Sequence, residues 1–502
     1  MSGWSEVDSQ NRRAHELWEQ GRHEEAIRVW EQAYALDPDN VDTLINLAWG
    51  LGRTGRVVEA LPLAERVLEL HPDEWRAHHA FGQIHYQAGR YEEAISAYSA
   101  ALEAGSNDVL LHCDLADALY STGRFADAAQ SYAQVAAAQP DDAYPHLWMG
   151  WSLAQIGNQA DAAACFERAL KLTPSWPEAL YAVGQTCCAQ GDFSRARHLL
   201  QEALNGYHTE DEEGRAAAAC ELGNAFRGLG EPEEAADLYR QALALDPTHP
   251  TARFNLGLTY SELGDFEKAV SELDIIIQLE PQDVEALVER GGAYLALGKH
   301  DDAVESYGAA LDIAPDQVEA HSGLGLAYYM IGLYDLSAAQ YARAAVLAPD
   351  DPWLEYNLAI ALEAAGRQAE ADAAFEQGLY RGSDNVEVCV AVARAMTSHG
   401  RNPEGAIEAA RRACGADLAN ADAFDALAMA LYSAGRYEAA LEPSQEATRL
   451  DPEAAEYRYD LGLIQNATGD HDGARQSFTR ALELAPDFEE ARENLRRLDE
   501  DL

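Results

Sequence analysis

Three histidines recur at a fixed interval of 34 residues, His78, His112 and His146. Imidazole binds zinc and transfers protons near neutral pH, so such a row could form a metal site or a general base. If the interval is one structural repeat, equivalent residues lie about two helix layers apart, and one layer is about 8–10 Å. Zinc holds each ligand at about 2 Å, so the three cannot form one site unless His79, Cys113 or His85 contributes. We therefore predict histidines that pack between repeats, no metal site and a weak pH response at most.

The familiar catalytic motifs are absent from the sequence. It contains no GxxxxGK[ST] phosphate loop, no HExxH and no GxSxG, the patterns that indicate nucleotide, metalloprotease or hydrolase chemistry. The seven cysteines are scattered and form no CxxC pair, which favours reduced, buried thiols over a disulfide framework or a zinc site. We therefore predict no catalytic residue, no cofactor and no enzymatic activity.

The charge of the chain is strongly negative. Its 86 acidic and 36 basic residues give a net charge of −50 at pH 7. Phosphate binding requires clustered cations, so we expect no direct contact with nucleic acid. No stretch approaches the ~18 apolar residues of a membrane-spanning helix, and the N-terminal sequence lacks the apolar core of a signal peptide. We expect a cytoplasmic protein that does not insert into a membrane.

The histidine interval belongs to a unit repeated along nearly the whole chain. In "NLGLTYSELGDFEKAVSELDIIIQLEP", residues 255–281, Gly264 is assigned to position 15 of a 34-residue unit. Position 8 is Gly or Ala, position 20 is mostly Ala, position 24 is often aromatic and position 32 is proline in ten copies. The fourteen glycines at position 15 are Gly21, Gly55, Gly89, Gly123, Gly157, Gly191, Gly230, Gly264, Gly298, Gly332, Gly366, Gly400, Gly435 and Gly469.

Each part of the unit predicts a local structure. Apolar residues such as Leu256 and Tyr260 have helical spacing, and Gly264 can end that first helix in a left-handed conformation. The acidic residues that follow suit the positive end of a second helix. Gly257 and Ala269 are small enough to let the two helices approach closely, with the aromatic residue at position 24 between them. Proline at position 32 ends the second helix.

This pattern resembles the tetratricopeptide repeat family, through fourteen registered copies between Val7 and Phe488. The resemblance implies an all-α fold, an α-solenoid in which 14 helix-turn-helix repeats stack into a right-handed superhelix. It also implies that the first helix of each repeat lines a concave groove.

Two departures interrupt the register. Residues 211–215 are an insertion, which is interpreted as a longer surface loop or as a hinge between two halves. Unit twelve carries one extra residue, and Pro403 is well suited to begin its second helix. The predicted segments are a lead-in, 1–6; units one to six, 7–210; the insertion, 211–215; units seven to fourteen, 216–488; and a C-terminal capping helix, 489–502.

The predicted capping helix has one apolar stripe. Ala491, Leu495, Leu498 and Leu502 fall on the same helical face, and the opposite face is charged. Repeat stacks need such a terminal helix to stay soluble. The stripe therefore weighs against end-to-end polymerisation, and we expect a monomer or a small oligomer.

In this family, positions 2, 5, 9 and 12 of the first helix tend to face the groove. In units two to six the residues at or beside those positions are mainly aromatic, with a few cationic ones: Trp49, Arg53, Arg76, His79, Tyr86, Tyr120, Tyr144, Trp151 and Tyr181. Units nine to fourteen are acidic there, with interspersed aromatic residues and one arginine: Glu285, Glu319, Trp353, Tyr356, Glu363, Glu387, Arg394, Asp422, Asp425 and Glu456. Aromatic residues and arginine are enriched in binding hot spots, and an acidic face attracts a basic segment. The alternatives are that the aromatic residues pack between repeats and that the acidic face is only solvated.

These residues predict a non-enzymatic scaffold or adaptor that binds a peptide or protein segment, with a basic stretch suited to the acidic units. The alternative is a regulatory or substrate-docking subunit of a separately encoded enzyme. A third possibility is self-association through the first unit, where Trp4 and Trp18 have no preceding repeat to cover them.

One known binding mode of the family is not expected. Some members hold chaperone C-termini with a carboxylate clamp, which takes Lys at position 5 and Asn at positions 6 and 9. Here Asn46, Asn255 and Asn357 stand at position 6 in isolation, and no unit has Lys at position 5. We therefore predict no binding of chaperone tails.

Overall fold

A computed structural model gives the structure of residues 6–382, 385–400 and 402–500. The chain forms two compact units, residues 1–252 and 253–502, which are described separately. Trp4 and Leu502, which the sequence pattern singles out, lie outside the described residues. Throughout the described residues the fold is all-α, a solenoid of stacked helix pairs.

The helices of the first unit, together with the one that contains the division, are α1 (Glu6–Glu19), α2 (His23–Leu36), α3 (Val41–Arg53), α4 (Val57–Leu70), α5 (Trp75–Gln87), α6 (Tyr91–Glu103), α7 (Val109–Ser121), α8 (Phe125–Ala138), α9 (Ala143–Gln155), α10 (Gln159–Leu172), α11 (Pro177–Ala189), α12 (Phe193–Gly206), α13 (Glu212–Gly228), α14 (Pro232–Leu245) and α15 (Pro250–Glu262). The second unit continues with α16 (Phe266–Leu279), α17 (Val284–Ala296), α18 (His300–Ile313), α19 (Val318–Met330), α20 (Tyr334–Leu347), α21 (Pro352–Ala364), α22 (Gln368–Arg381), α23 (Val386–His399), α24 (Pro403–Ala416), α25 (Ala421–Ser433), α26 (Tyr437–Leu450), α27 (Ala455–Ala467), α28 (His471–Leu484) and α29 (Glu489–Glu500).

The turn inside each helix pair contains the predicted glycine. Every glycine assigned to position 15 has a positive φ, between 64° and 84°. A residue with a Cβ is strained in this left-handed conformation, so glycine ends the first helix at the lowest energetic cost. The prediction of helix-ending glycines is confirmed. The total of fourteen repeats and the handedness of the superhelix stay predictions.

In each helix pair, a small residue on the first helix packs against a large residue on the second helix. A Cβ on Gly82 of α5 would lie 2.4 Å from Cε1 of Tyr98 on α6, and a Cβ on Gly150 would lie 2.5 Å from Cε1 of Phe166. Tyr98 is 1% exposed and Phe166 3% exposed. The aromatic residue at position 24 therefore occupies the space that the small residue at position 8 leaves open, as predicted. Burial of such rings supplies much of the apolar contact in each pair.

The insertion at residues 211–215 is largely helical. Asp211 is the N-cap of α13, where its side chain accepts a hydrogen bond from the backbone N–H of Gly214. The next residues belong to α13 itself, which has 17 residues where α11 has 13. The added residues therefore lengthen a first helix by about one turn, instead of forming a surface loop. A hinge at this point stays a prediction.

Two predicted helix boundaries of the second unit are confirmed. Pro403 stands in the first turn of α24, where its missing N–H leaves no hydrogen bond unmade. The terminal helix α29 packs its apolar stripe onto the preceding pair, where Leu498 is 8% exposed and joins the buried Phe478 in one cluster. Ala491 is fully buried, and Leu495 packs against the same cluster.

First helices of successive pairs also contact one another directly. In the first unit α3 contacts α5, and in the second unit α23 contacts α25. Side chains from neighbouring first helices therefore meet within each unit. We call the side chains at positions 2, 5, 9 and 12 of these helices the first-helix face.

Candidate functional site

The first-helix face of the first unit contains a polar cluster on α5, α7, α8 and α9. Nε2 of His79 lies 2.7 Å from Oδ2 of Asp114, and Nε2 of Gln83 donates to the same oxygen at 2.6 Å. One turn further along α7, Oδ1 of Asp117 accepts hydrogen bonds from the hydroxyl of Tyr132 at 2.5 Å and from that of Tyr144 at 3.1 Å. Two aspartates of one helix thus connect four helices.

The electrostatics of this cluster favour structure over catalysis. Burial raises the pKa of Asp117, although the hydrogen bonds from Tyr132 and Tyr144 lower it in part. Burial also raises the pKa of the neighbouring Cys113 thiol to about 12. The thiolate is the nucleophilic form of cysteine, so a thiol that stays protonated at neutral pH is a poor nucleophile. Cys113 therefore does not provide an activated thiol beside His79 and Asp114.

Several aromatic residues predicted to face a partner are half-buried against other rings. The ring centre of Trp49 lies 4.7 Å from that of Trp18 and 6.5 Å from that of Trp30, and Trp49 packs against the core cluster of α1–α4. Trp151 lies 4.9 Å from Phe166. These two tryptophans therefore contribute to packing between helices and leave only part of each ring on the surface.

The tyrosines of the face have similar contacts. Tyr120 meets the edge of Trp148 at 5.2 Å, Tyr144 lies 6.0 Å from the same ring, and Tyr181 lies 6.1 Å from Trp151. Tyr86 packs at 5.2 Å against Tyr91 of the next helix. In consequence Tyr120, Tyr144 and Trp148 are brought together, and Tyr86 packs against the same core cluster.

The two predicted cations differ in their surroundings. Nη1 of Arg76 lies 2.8 Å from Oδ1 of Asp42, the residue at the same position of the preceding first helix, and Nε lies 2.8 Å from Oε1 of Glu74. The charge of Arg76 is therefore balanced by two carboxylates within the protein. Arg53, at the end of α3, is exposed.

In the second unit a cleft of about 600 Å³ lies between the first helices α21, α23 and α25. Its volume is within the range of ligand pockets. The lining residues are Tyr356, Val386, Glu387, Val390, Ala391, Arg394, Ala395, Ser398, Asn420 and Asp422. The structure thus brings together Tyr356, Glu387, Arg394 and Asp422 of the predicted set. The ring centre of Trp353 lies 5.6 Å from that of Tyr356. Glu285 and Glu319 are exposed on α17 and α19, away from this cleft.

A buried carboxyl pair lies beside the cleft. Asp425 of α25 is 7% exposed, and its carboxyl group interacts with that of Asp460 on α27. Two neighbouring carboxyl groups form a hydrogen bond only when one of them carries a proton. Burial is the largest cause that raises the pKa of both residues. Asp425 raises the pKa of Asp460 further, whereas Arg394 lowers the pKa of Asp425 in part. Arg394 pairs with Asp422 and lies 3.4 Å from Oδ2 of Asp425, and Tyr457 donates to Asp422 at 3.0 Å.

The pattern of aromatic and cationic residues does not indicate the polar residues that organise both clusters. Asp117 occupies position 9, one of the positions examined, and Asp114 and Asp460 occupy position 6. Acidic residues at positions 6 and 9 of neighbouring units are a signal that would have indicated these hydrogen bonds. Gln83 also stands at position 9.

The recurring histidines have a structural role. Nε2 of His78 lies 2.8 Å from the carbonyl oxygen of Pro72, and Nε2 of His321 lies 3.0 Å from that of Pro315. At a third proline of this kind, the carbonyl oxygen of Pro140 instead accepts a hydrogen bond from Nη2 of Arg168. His78 and His321 thus satisfy the carbonyl of the proline that closes the preceding unit. Within the ranges that the structure describes, no group of three potential ligands is arranged to hold a metal ion.

None of the helices described combines the length and the apolar character that crossing a bilayer requires. The stacked helix pairs and the faces formed by first helices define the chain as a helical repeat protein.

The chain belongs to the tetratricopeptide repeat family. Family models described as "TPR repeat" match residues 14–52, 223–264 and 291–332. Models described as "Tetratricopeptide repeat" match residues 45–109, 113–177, 149–219, 250–283, 352–377 and 425–489. The resemblance inferred from the fourteen glycines is confirmed. No curated protein matches the chain.

Three solved structures are among those similar to this chain at low sequence identity. Yeast Tom70 is 15% identical, over 85% of this chain and 95% of its own, with a TM-score of 0.38. Naa15/Naa10 bound to HypK-THB is 15% identical, over 99% and 96%, with a TM-score of 0.33. YrrB, described as a TPR protein with an unusual peptide-binding site, is 23% identical, over 38% and 96%, with a TM-score of 0.33.

Proposed function

We propose that this chain is a non-enzymatic scaffold that binds a segment of a partner protein on its first-helix face. The observation that carries the proposal is the cleft between α21, α23 and α25, where Tyr356, Glu387 and Asp422 line one recess. A concave site with apolar walls and a few polar groups suits recognition of a protein segment.

In the first unit the half-buried aromatic residues supply contact area for such a segment. Tyr120, Tyr144, Trp151 and Tyr181 are held in place by ring contacts and by the hydrogen bond of Tyr144 to Asp117. Side chains that are already ordered lose little conformational entropy when a partner binds. Rigid aromatic rings with a polar tip are therefore suited to be anchors of affinity.

In the second unit the acidic residues select a basic stretch. Glu285, Glu319 and Glu387 are all exposed at position 2 of their first helices. Complementary charge of this kind increases association rate and specificity more than it increases affinity. The partner is therefore a protein or peptide with a basic segment, and the large negative charge of the chain disfavours nucleic acid.

The polar groups on the first-helix face support a scaffold instead of an enzyme. His79 and Asp114 bond one another, Arg394 bonds two aspartates, and the Cys113 thiol is held in its protonated form. We place the protein in the cytoplasm, where its cysteines would remain reduced thiols.

A synthetic array of random peptides tests the proposal with two charge-matched variants of the full chain. The first combines Glu285→Gln, Glu319→Gln and Glu387→Gln on first helices. The second combines Glu267→Gln, Glu305→Gln and Glu376→Gln, which are exposed on the second helices α16, α18 and α22. Both variants lose the same net charge.

We expect the wild-type chain to bind peptides enriched in arginine and lysine, and the first variant to bind them more weakly while the second retains them. Equal loss in both variants would show that overall charge, and not the first-helix face, attracts the peptides. Binding of no peptide at all would contradict the scaffold proposal. Stoichiometric recovery of a folded enzyme from a lysate would then favour a regulatory subunit.

A further inference from the structure

The cleft of the second unit distinguishes Glu387 from the other acidic residues at position 2. Glu285, Glu319 and Glu387 are equivalent in the repeat register, and all three are exposed. Glu387 lines the cleft between α21, α23 and α25, together with Tyr356. A cation bound near Glu387 would therefore have protein on several sides, where charge interactions are screened less than on an open surface.

The charges around the cleft leave room for one more cation. Arg394 is the basic residue of the lining, and it already contacts Asp422 and Asp425. Burial raises the pKa of both Asp425 and Asp460, which favours a protonated carboxyl group in this pair. Among the ion pairs of the described residues, none involves Glu387. One arginine thus shares the cleft lining with Glu387 and Asp422, an excess of acidic groups.

Part of the cleft lining is apolar. Val390, Ala391 and Ala395 of α23 line the cleft, and Tyr356 of α21 adds an aromatic ring. Arginine and lysine pack their aliphatic stems on apolar surface while the charged group stays near water or a counter-ion. A guanidinium or ammonium group is also attracted to the face of an aromatic ring. The lining therefore matches a long cationic side chain better than a small cation or an acidic residue.

We infer that this cleft holds one arginine or lysine side chain of the bound segment, flanked by aliphatic residues, with its charge at Glu387 and its stem on Val390 and Ala391. This assignment rests on the proposed scaffold function. Of the three equivalent glutamates, it makes Glu387 the one that selects a basic side chain. The same segment continues along the first-helix face, where Glu285 and Glu319 contribute only long-range attraction.

Three blocked tripeptides are the probes, titrated onto the full chain by ligand-observed saturation-transfer NMR. They are acetyl-Leu-Arg-Leu-amide, acetyl-Gly-Arg-Gly-amide with the same charge, and acetyl-Leu-Glu-Leu-amide with the opposite charge. The variants are Glu387→Gln and Glu319→Gln, which remove the same charge from equivalent exposed positions.

We expect the Leu-Arg-Leu peptide to bind most tightly, and Glu387→Gln to weaken it by about 3- to 10-fold while Glu319→Gln changes it by less than about 2-fold. Equal effects of the two variants, equal binding of the Leu and Gly peptides, or no binding of Leu-Arg-Leu would overturn the inference. The scaffold proposal would survive any of these results if the peptide array still depended on the first-helix glutamates, so the two failures are distinguishable.

Discussion

The hydroxyl of Tyr132 donates a hydrogen bond of 2.5 Å to Oδ1 of Asp117, fifteen residues earlier in the same repeat. The same spacing joins Tyr239 to Oδ1 of Asn224, at 2.7 Å. In both repeats the aromatic residue at position 24, which holds the helix pair together, also fixes the polar residue at position 9 of the first-helix face. Packing inside a repeat and the geometry of its recognition face are therefore coupled through one side chain.

Removal of the tyrosine hydroxyl should lower the free energy of unfolding more where the acceptor is a carboxyl group, as in Asp117, than where it is an amide, as in Asn224. Tyr132→Phe leaves the half-buried carboxyl of Asp117 with one donor fewer, and we expect it to lower the free energy of unfolding by about 1–3 kcal/mol. Tyr239→Phe removes a bond to a neutral amide and should cost about 0.5–1.5 kcal/mol. Urea unfolding of both variants measures the difference. Equal losses would indicate that the charge of Asp117 adds nothing to the bond.

The match between positions 8 and 24 can be tested with two glycines in helices. Gly150→Ala would place a Cβ 2.5 Å from the Phe166 ring and 3.2 Å from a backbone oxygen, so we expect a loss of about 1–3 kcal/mol from overpacking. Gly308→Ala, in α18 with no atom within 4 Å of the new Cβ, should instead stabilise the helix by about 0.5–1 kcal/mol. Thermal unfolding reports both signs, and destabilisation by Gly308→Ala would contradict this account.

Trp49 occupies a position predicted to face a partner, and its ring contacts also stabilise the fold. Trp49→Ala removes contacts with Trp18 and Trp30, so we expect the unfolding midpoint to fall, with a loss of about 2–4 kcal/mol for this half-buried ring. Val58→Ala on α4, where the side chain is 86% exposed, should leave the midpoint nearly unchanged. An unchanged unfolding midpoint for Trp49→Ala would indicate that Trp49 contributes to binding and not to stability.

The local elements of this fold were predictable because each depends on one constraint within a repeat. A glycine such as Gly264 marks a left-handed turn, and Gly150 opposite Phe166 reflects the fixed distance between two packed helices. The capping helix and the start of α24 at Pro403 follow from equally local rules.

The candidate site was less predictable because it depends on contacts between repeats. Arg76 faces the same direction as other groove positions, yet its charge is balanced by Asp42 of the preceding first helix. Glu319 and Glu387 occupy the same register position, and only the neighbouring helices make Glu387 part of the cleft. A single-repeat pattern contains no information on how residues of adjacent repeats combine.

The carboxyl pair of Asp425 and Asp460 should make stability depend on pH. Burial raises the pKa of Asp460 to about 8, against about 3.9 in an unfolded chain. Between these two values the folded chain holds a proton that the unfolded chain has released. Stability is therefore greatest at low pH and is lost as the pH rises towards the raised pKa.

Asp460→Asn removes this dependence, because an amide donates to Asp425 without a borrowed proton. We expect the variant to gain about 1–3 kcal/mol over the wild-type chain as the pH rises from about 5 to about 8. Asp312→Asn, an exposed substitution on α18, controls for the loss of one negative charge. Urea midpoints across this pH range measure the gain. If Asp460→Asn and Asp312→Asn followed the wild-type curve in parallel, the two carboxyl groups would not share a proton, and the cleft would border two full negative charges instead of one.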